Sequence, residues 1–191
     1  MTSEQSSYVS RAGWKLAGAL DAFDVDVRGL SCADFGCNVG GFTDCLIRRG
    51  ADVVYAVDTG YGELAWKLRK HPRVIVMERT NALHVDPPAC VDLVCIDVAW
   101  TPQRLIIPAA MNWLNPGAMV ISLLKPHYES AKITGHKPHA ALSEQESHNI
   151  CLHVCEGLLA EGMTPSAVMH SPLIGKGGNA EFLLLLHKPV K

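Results

Sequence analysis

Three stretches constrain this chain most: "VDLVCIDV" (91–98), "MVISLL" (119–124) and "AEFLLLLH" (180–187). Each is apolar almost throughout. A strand with one wet face alternates apolar and polar residues, so runs without alternation must be covered on both faces. Segments of helical spacing lie between such runs, and strand–helix alternation of this kind builds a parallel, doubly wound sheet.

The remaining strands are expected at "LSCADF" (30–35), "DVVYAV" (52–57), "RVIVM" (73–77) and "PSAVMH" (165–170). Helices are expected from Ser10, with Ser10 as N-cap, and at 41–50, where Gly50 is the stop. Further helices are expected at 62–70, at 102–114 before an Asn115-Pro116-Gly117 turn, and at 143–162. Ser143 and Glu146 form a capping box for the last of these. No helical segment separates the final two strands, so they should pair antiparallel. The polar stretch 128–142 reads as a long loop, of the kind that often covers a binding site. A flexible N-terminus over 1–9 and a single domain over 10–191 are expected.

The chain has 191 residues and a formal net charge of −2, so nothing draws it globally to phosphate backbones. Nucleic-acid contact needs a local basic face. The first half supplies candidates in Arg11, Lys15, Arg48, Arg49, Lys67, Arg69, Lys70, Arg73 and Arg79, although "KLRKHPR" also reads as a solvated helix end. No signal peptide and no run of membrane-spanning length occurs, so a cytoplasmic protein is expected, with no membrane contact. None of the seven cysteines is in C-x-x-C spacing. Cys32, Cys45, Cys90, Cys95, Cys151 and Cys155 read as small buried hydrophobes. His148, Cys151 and Cys155 can share a helix face, but a fourth ligand is missing, so no metal is expected.

"ADFGCNVGGFTDCL" (33–46) runs strand, glycine loop, helix. Gly36, Gly40 and Gly41 allow a tight turn and close approach of a ligand at the strands' carboxyl ends. The second glycine comes too late for the dinucleotide pattern. Asp34 precedes the loop, and Asp58 ends the next strand, where a carboxylate can accept both hydroxyls of a ribose. The spacing points to a nucleoside cofactor. Asn81 is either a contact to an adenine edge or a turn residue.

A charged set accompanies the loop. Asp97 ends the fourth strand, Lys125 the fifth, and Glu181 starts an antiparallel last strand, so all three can converge on one rim. Lys15 lies on the first helix, which can pack over that rim. Such a set suits a hydroxyl nucleophile whose proton must be drawn away. Trp14 and Trp100 flank two of these residues, as core or as stacking surfaces for a base.

The stretches "YVSRAGWKL", 40–82, "DLVCIDVAW", "LLKPHYE" and "GNAEFLLLL" together resemble the FtsJ-type 2′-O-ribose RNA methyltransferases, most closely the TlyA/hemolysin-like branch. The resemblance implies a Rossmann-like fold dependent on S-adenosyl-L-methionine (SAM), with seven strands in the order 3-2-1-4-5-7-6. It implies a catalytic tetrad of Lys15, Asp97, Lys125 and Glu181. It also implies cofactor contacts from Asp34, Gly36, Cys37, Asn38, Gly40, Gly41, Phe42, Asp58, Asn81 and Asp97. RNA is the implied substrate, ribosomal RNA in particular. That branch usually carries an N-terminal S4 RNA-binding domain, for which this chain begins too late; a helper protein could stand in for it. The loop "GCNVGG" replaces the usual Gly-Ala-Ser-Thr-Gly-Gly, and His127 stands where the branch often has Gln. The residues alone leave open a methyltransferase for a small-molecule hydroxyl, or a non-catalytic SAM- or RNA-binding module.

Overall fold

The computed structural model describes residues 8–135 and 141–190. Strands β1 (Ser31–Phe35), β2 (Val53–Val57), β3 (Val74–Met77), β4 (Val91–Ile96), β5 (Leu114–Leu124), β6 (Pro165–His170) and β7 (Phe182–His187) form one sheet. Its order is β3-β2-β1-β4-β5-β7-β6, as expected. The first five strands run parallel, and β7 is antiparallel to both β5 and β6.

Helices α1 (Ala12–Ala22), α2 (Gly41–Arg48) and α3 (Trp66–Arg69) contribute to a core that covers one face, with Leu93, Cys95, Ile121, Leu123, Leu183 and Leu185. On the other face, α4 (Gln103–Trp113) and α6 (Glu144–Ala160) pack over Val94, Ile96, Val120, Leu124, Leu184 and Leu186. Successive residues of β4, β5 and β7 thus enter opposite cores, which is why those runs do not alternate. Edge strand β6 does alternate between half-buried and exposed positions.

Local chemistry sets the helix ends. Gly50 adopts φ 96°, donates to Ile47 O at 3.1 Å, and lets Ala51 donate to Leu46 O at 3.0 Å. These two hydrogen bonds satisfy carbonyls that α2 leaves open. The Ser143–Glu146 capping box of α6 is formed as expected.

Several elements differ from expectation. Ser10 is not an N-cap: Arg11 holds that position without a side-chain cap, and Ser10 lies against Gly41, where an added Cβ would come within 2.2 Å of its hydroxyl. Helix α3 is far shorter than 62–70, because Gly62 has φ 79° and Ala65 is extended at ψ 135°. Asn115-Pro116-Gly117 lies inside β5 as a bulge, since Leu114 pairs with Val91 but Met119 already pairs with Leu93. Much of the expected loop 128–142 is helix α5 (Pro126–Thr134), ended by Gly135 at φ 75°. Its sequence has no apolar stripe, and only Pro126 and Glu129 are buried, so periodicity could not reveal it. Residues 136–140 of that stretch lie outside the described residues. Cys90 is exposed rather than buried. The expected flexible end falls mostly outside the described residues. Its last residue, Val9, donates its backbone N–H to Asp44 Oδ2 at 2.9 Å.

Leu184→Ala removes a fully buried side chain from β7. It should lower unfolding free energy by about 2–5 kcal/mol in urea titrations. Val168→Ala, at a half-exposed position on the edge strand, should change it by no more than about 0.5 kcal/mol.

Candidate active site

The carboxyl ends of β1, β2 and β4 open into a cleft of about 710 Å³. The loop after β1 forms its floor. Gly36 has φ 83°, and a Cβ there would meet Asp97 O at 2.8 Å, so only glycine fits. Gly36 and Cys37 both donate backbone N–H groups to Val57 O, which ties the loop to β2. Asp58 Oδ2 accepts from Asn38 N at 2.8 Å and Oδ1 from Gly60 N at 2.7 Å. An ionised carboxylate has about four lone-pair positions, so both oxygens keep capacity for a ligand's hydroxyls.

Asp34 is fully buried and lines the same cleft. Its Oδ2 accepts from Thr43 N at 2.8 Å and Thr43 Oγ1 at 2.6 Å. Its Oδ1 is buried with no partner. Burial, against the opposing Thr43 bonds, pushes the carboxyl up to about 7, and the nearby Asp97 and Asp58 charges add to the rise. A bound cation, such as the ammonium of SAM, would favour the ionised form of this carboxyl. A glycine loop, a carboxylate with spare acceptor capacity and a buried carboxylate with an orphaned oxygen line one cleft, a set that fits that cofactor.

Beside the cleft, four charges form two ion pairs. Lys125 Nζ lies 2.5 Å from Asp97 Oδ1 and donates to Val98 O at 3.1 Å. Lys15 Nζ pairs with Glu181 Oε2. All four side chains are at least four-fifths buried, so each charge needs its partner. The sheet register brings the pairs together: Leu124 faces Phe182 across β5 and β7, so the next residues out, Lys125 and Glu181, flank one another. His127, at the start of α5, senses both lysines. Burial first, then Lys125 and Lys15, hold its imidazole below the usual histidine range.

A buried network steadies this rim. Gln103 N donates to Glu129 Oε1 at 2.8 Å, and Ser122 Oγ donates to Gln103 Oε1 at 2.5 Å. It locks α4, α5 and β5 together on either side of Lys125. Sequence reasoning missed these three residues, because nothing local in the sequence marks a pairing between separate elements.

Of the residues singled out from sequence, Asp34, Gly36, Cys37, Asn38, Gly41, Phe42, Asp58, Asn81, Asp97 and Lys125 line the cleft. Gly40 does not. Its φ of 96° starts α2, and a Cβ there would strike Leu68 Cδ1 at 2.3 Å, so its role is packing. Lys15 and Glu181 stand on the rim outside the cleft lining. Asn81 makes a turn, its Oδ1 accepting from Leu83 N at 3.0 Å, while lining the cleft. Thr59, Thr80 and Thr101 also line it and were not foreseen. Trp14 and Trp100 are exposed, not core. Trp100 lines the cleft mouth, with its ring 4.9 Å from that of Tyr128. Among the described residues, no group of three or more His, Cys, Asp or Glu is arranged to hold a metal ion.

Residues 8–188 match the FtsJ-like methyltransferase family. The chain is 39% identical over 186 residues to a Bacillus subtilis protein provisionally named an rRNA methyltransferase, YqxC, with 95% of this chain and 66% of YqxC covered. It is 39% identical to the 16S/23S rRNA (cytidine-2′-O)-methyltransferase TlyA of Mycobacterium tuberculosis, with 97% and 70% covered. The chain therefore spans about two thirds of the length of these curated relatives. It superposes on the crystal structure of a protein named as a hemolysin from Lactococcus lactis with a TM-score of 0.89 at 33% identity, covering 98% of this chain and 91% of that one.

Asp34 binds more protons folded than unfolded between its ordinary value of 3.8 and about 7. Its contribution to stability therefore falls as pH rises through that window and is flat above it. Denaturant titrations of wild type and Asp34→Asn should show the wild type losing ground as pH rises from 4 to 7. Parallel curves would contradict the raised carboxyl.

Proposed function

Since this chain belongs to the FtsJ-like methyltransferase family, we propose that it transfers a methyl group from SAM to a ribose 2′-hydroxyl of ribosomal RNA. The observation that carries this reading is the position of Lys125, which both lines the cofactor cleft and pairs with Asp97. An amine there faces a hydroxyl brought to the cleft mouth. The names of YqxC and TlyA support ribosomal RNA as the substrate class.

In this reading, the Gly36–Gly41 loop, Asp58 and Asn81 hold the nucleoside, and Asp34 takes the ammonium. SAM supplies an electrophilic methyl group on a sulfonium. Lys125 either accepts the proton of the target hydroxyl as a neutral amine or, as an ammonium, donates to the hydroxyl oxygen and steers it while the proton passes to water, and Asp97 fixes its direction. Lys15 and Glu181 complete the rim as a second fixed pair. Neither lysine can swing freely, because each is tied to a carboxylate. The site therefore works by alignment, holding oxygen and methyl carbon in line with the leaving sulfur. Trp100, exposed at the cleft mouth, offers a ring for the target base to stack on.

We take 10–191 as a single methyltransferase domain. Among the described residues, no helix is long and apolar enough to cross a membrane, and we assign the reaction to the cytoplasm, where ribosomal RNA is processed.

Lys125→Ala should lower kcat/KM for methyl transfer to ribosomal RNA by roughly 100-fold or more. Its affinity for S-adenosylhomocysteine, read by calorimetry, should stay close to wild type. Asp58→Ala should do the reverse, with cofactor affinity lost first. Turnover retained in Lys125→Ala would overturn the catalytic assignment.

A further inference from the structure

A ribbon of alternating rings and cations leaves the active-site rim and crosses the α1–α2–α3 face. It begins at Trp14, next to Lys15. The Trp14 ring meets the Tyr8 ring edge-on at 4.9 Å, and the Arg48 guanidinium lies over Tyr8 at 5.2 Å. Arg48 Nε bonds Asp44 Oδ1 at 3.0 Å, and Lys67 Nζ approaches Asp44 Oδ2 at 3.2 Å. Lys67 adjoins Trp66, whose ring carries Lys70 Nζ at 4.5 Å.

Asp44 organises the middle of this ribbon. Its side chain is buried, whereas that of Lys67 is half-exposed. One carboxylate shared between two cations fixes where both stand. At the far end, Trp66 is 67% exposed in a helix of only four residues. Burial in this chain's own core does not account for a tryptophan so exposed. A chain of net charge −2 concentrates ordered cations here, and spaces them with rings. Stacking surfaces for bases, interleaved with charges for phosphates, are what an unpaired nucleic-acid strand requires.

We infer that this ribbon, from Trp14 through Arg48 and Lys67 to Trp66 and Lys70, binds the single-stranded RNA that flanks the methylated nucleotide. The inference rests on the functional reading above and adds to it the path by which the strand leaves the site. Bases stack on Trp66 and Trp14, and phosphates lie against Lys67 and Lys70. Binding of this kind is sequence-tolerant, so the ribbon supplies affinity and the catalytic rim supplies selection.

The test uses the Trp66→Ala/Lys70→Ala double variant, which touches two exposed side chains outside the catalytic and cofactor residues. Its affinity for a fluorescein-labelled 15-nucleotide RNA of mixed sequence is compared with wild type across a salt series, beside a duplex of the same length. Methyl transfer to unmodified ribosomal RNA and S-adenosylhomocysteine affinity are measured on the same preparations. The variant should bind the single strand roughly tenfold more weakly. Its salt slope should be shallower by about 0.7 for the lost lysine. KM for RNA should rise, while kcat and S-adenosylhomocysteine affinity hold. A wild type that methylates ribosomal RNA while the variant keeps its affinity and salt slope overturns the ribbon alone, and leaves that face to a protein contact. A wild type that binds the cofactor but neither binds nor methylates RNA overturns the functional reading, and the ribbon with it.

Discussion

The antiparallel insertion of β7 between β5 and β6 is the constraint on which the site depends. In a fully parallel sheet the start of a strand lies at the rim opposite the ligand. Reversing β7 carries its start to the carboxyl ends of its neighbours, and the register that sets Leu124 against Phe182 places Glu181 beside Lys125. Its interior position, between β5 and β6, also lets a strand as apolar as "FLLLLH" serve both cores at once. One topological choice thus supplies core packing on both faces and the fourth charge at the rim.

Electrostatics then divides the molecule's carboxylates by task. Asp97 and Glu181 each hold a lysine, so their charges are compensated where they stand. Asp44 holds two cations in place on the α2–α3 face. Asp58 is spent partly on backbone N–H groups, which shapes the loop while leaving capacity toward the cleft. Among the carboxylates of the described residues, Asp34 alone combines full burial with an oxygen that lacks a partner. That imbalance is costly to the empty fold and is relieved by a bound cation. A rim that tethers both of its lysines gives up mobility for alignment, which suits a transfer whose rate depends on three atoms lying in line.

Much of this was legible in the sequence, and the reasons differ by element. The parallel sheet and the antiparallel last pair followed from apolar runs and from the lack of a helical segment between the last two strands, whereas the strand order followed from the family resemblance. Three of the rim charges, Asp97, Lys125 and Glu181, were visible because each sits at a strand end, where direction and topology fix position, and Lys15 lies on the first helix. What stayed hidden depended on contacts between distant segments. Helix α5 has no apolar stripe to announce it, and is held instead by Glu129 reaching the start of α4. The brevity of α3 depends on backbone torsions at Gly62 and Ala65, which composition does not report. Gly40 shared a motif with the cleft-lining Gly36 and Gly41, yet it packs against Leu64 and Leu68. The network of Gln103, Ser122 and Glu129 joins residues from three elements, none of which is conspicuous alone.

The most direct test asks where the methyl group goes. Ribosomal RNA lacking modification is incubated with the protein and SAM labelled in the methyl group, then digested with alkali. A methylated 2′-oxygen cannot attack the adjacent phosphodiester, so that linkage survives. The account predicts label recovered in alkali-stable dinucleotides. Label recovered in ordinary mononucleotides would place the methyl group on a base, and would contradict a site built around Lys125 and a ribose hydroxyl.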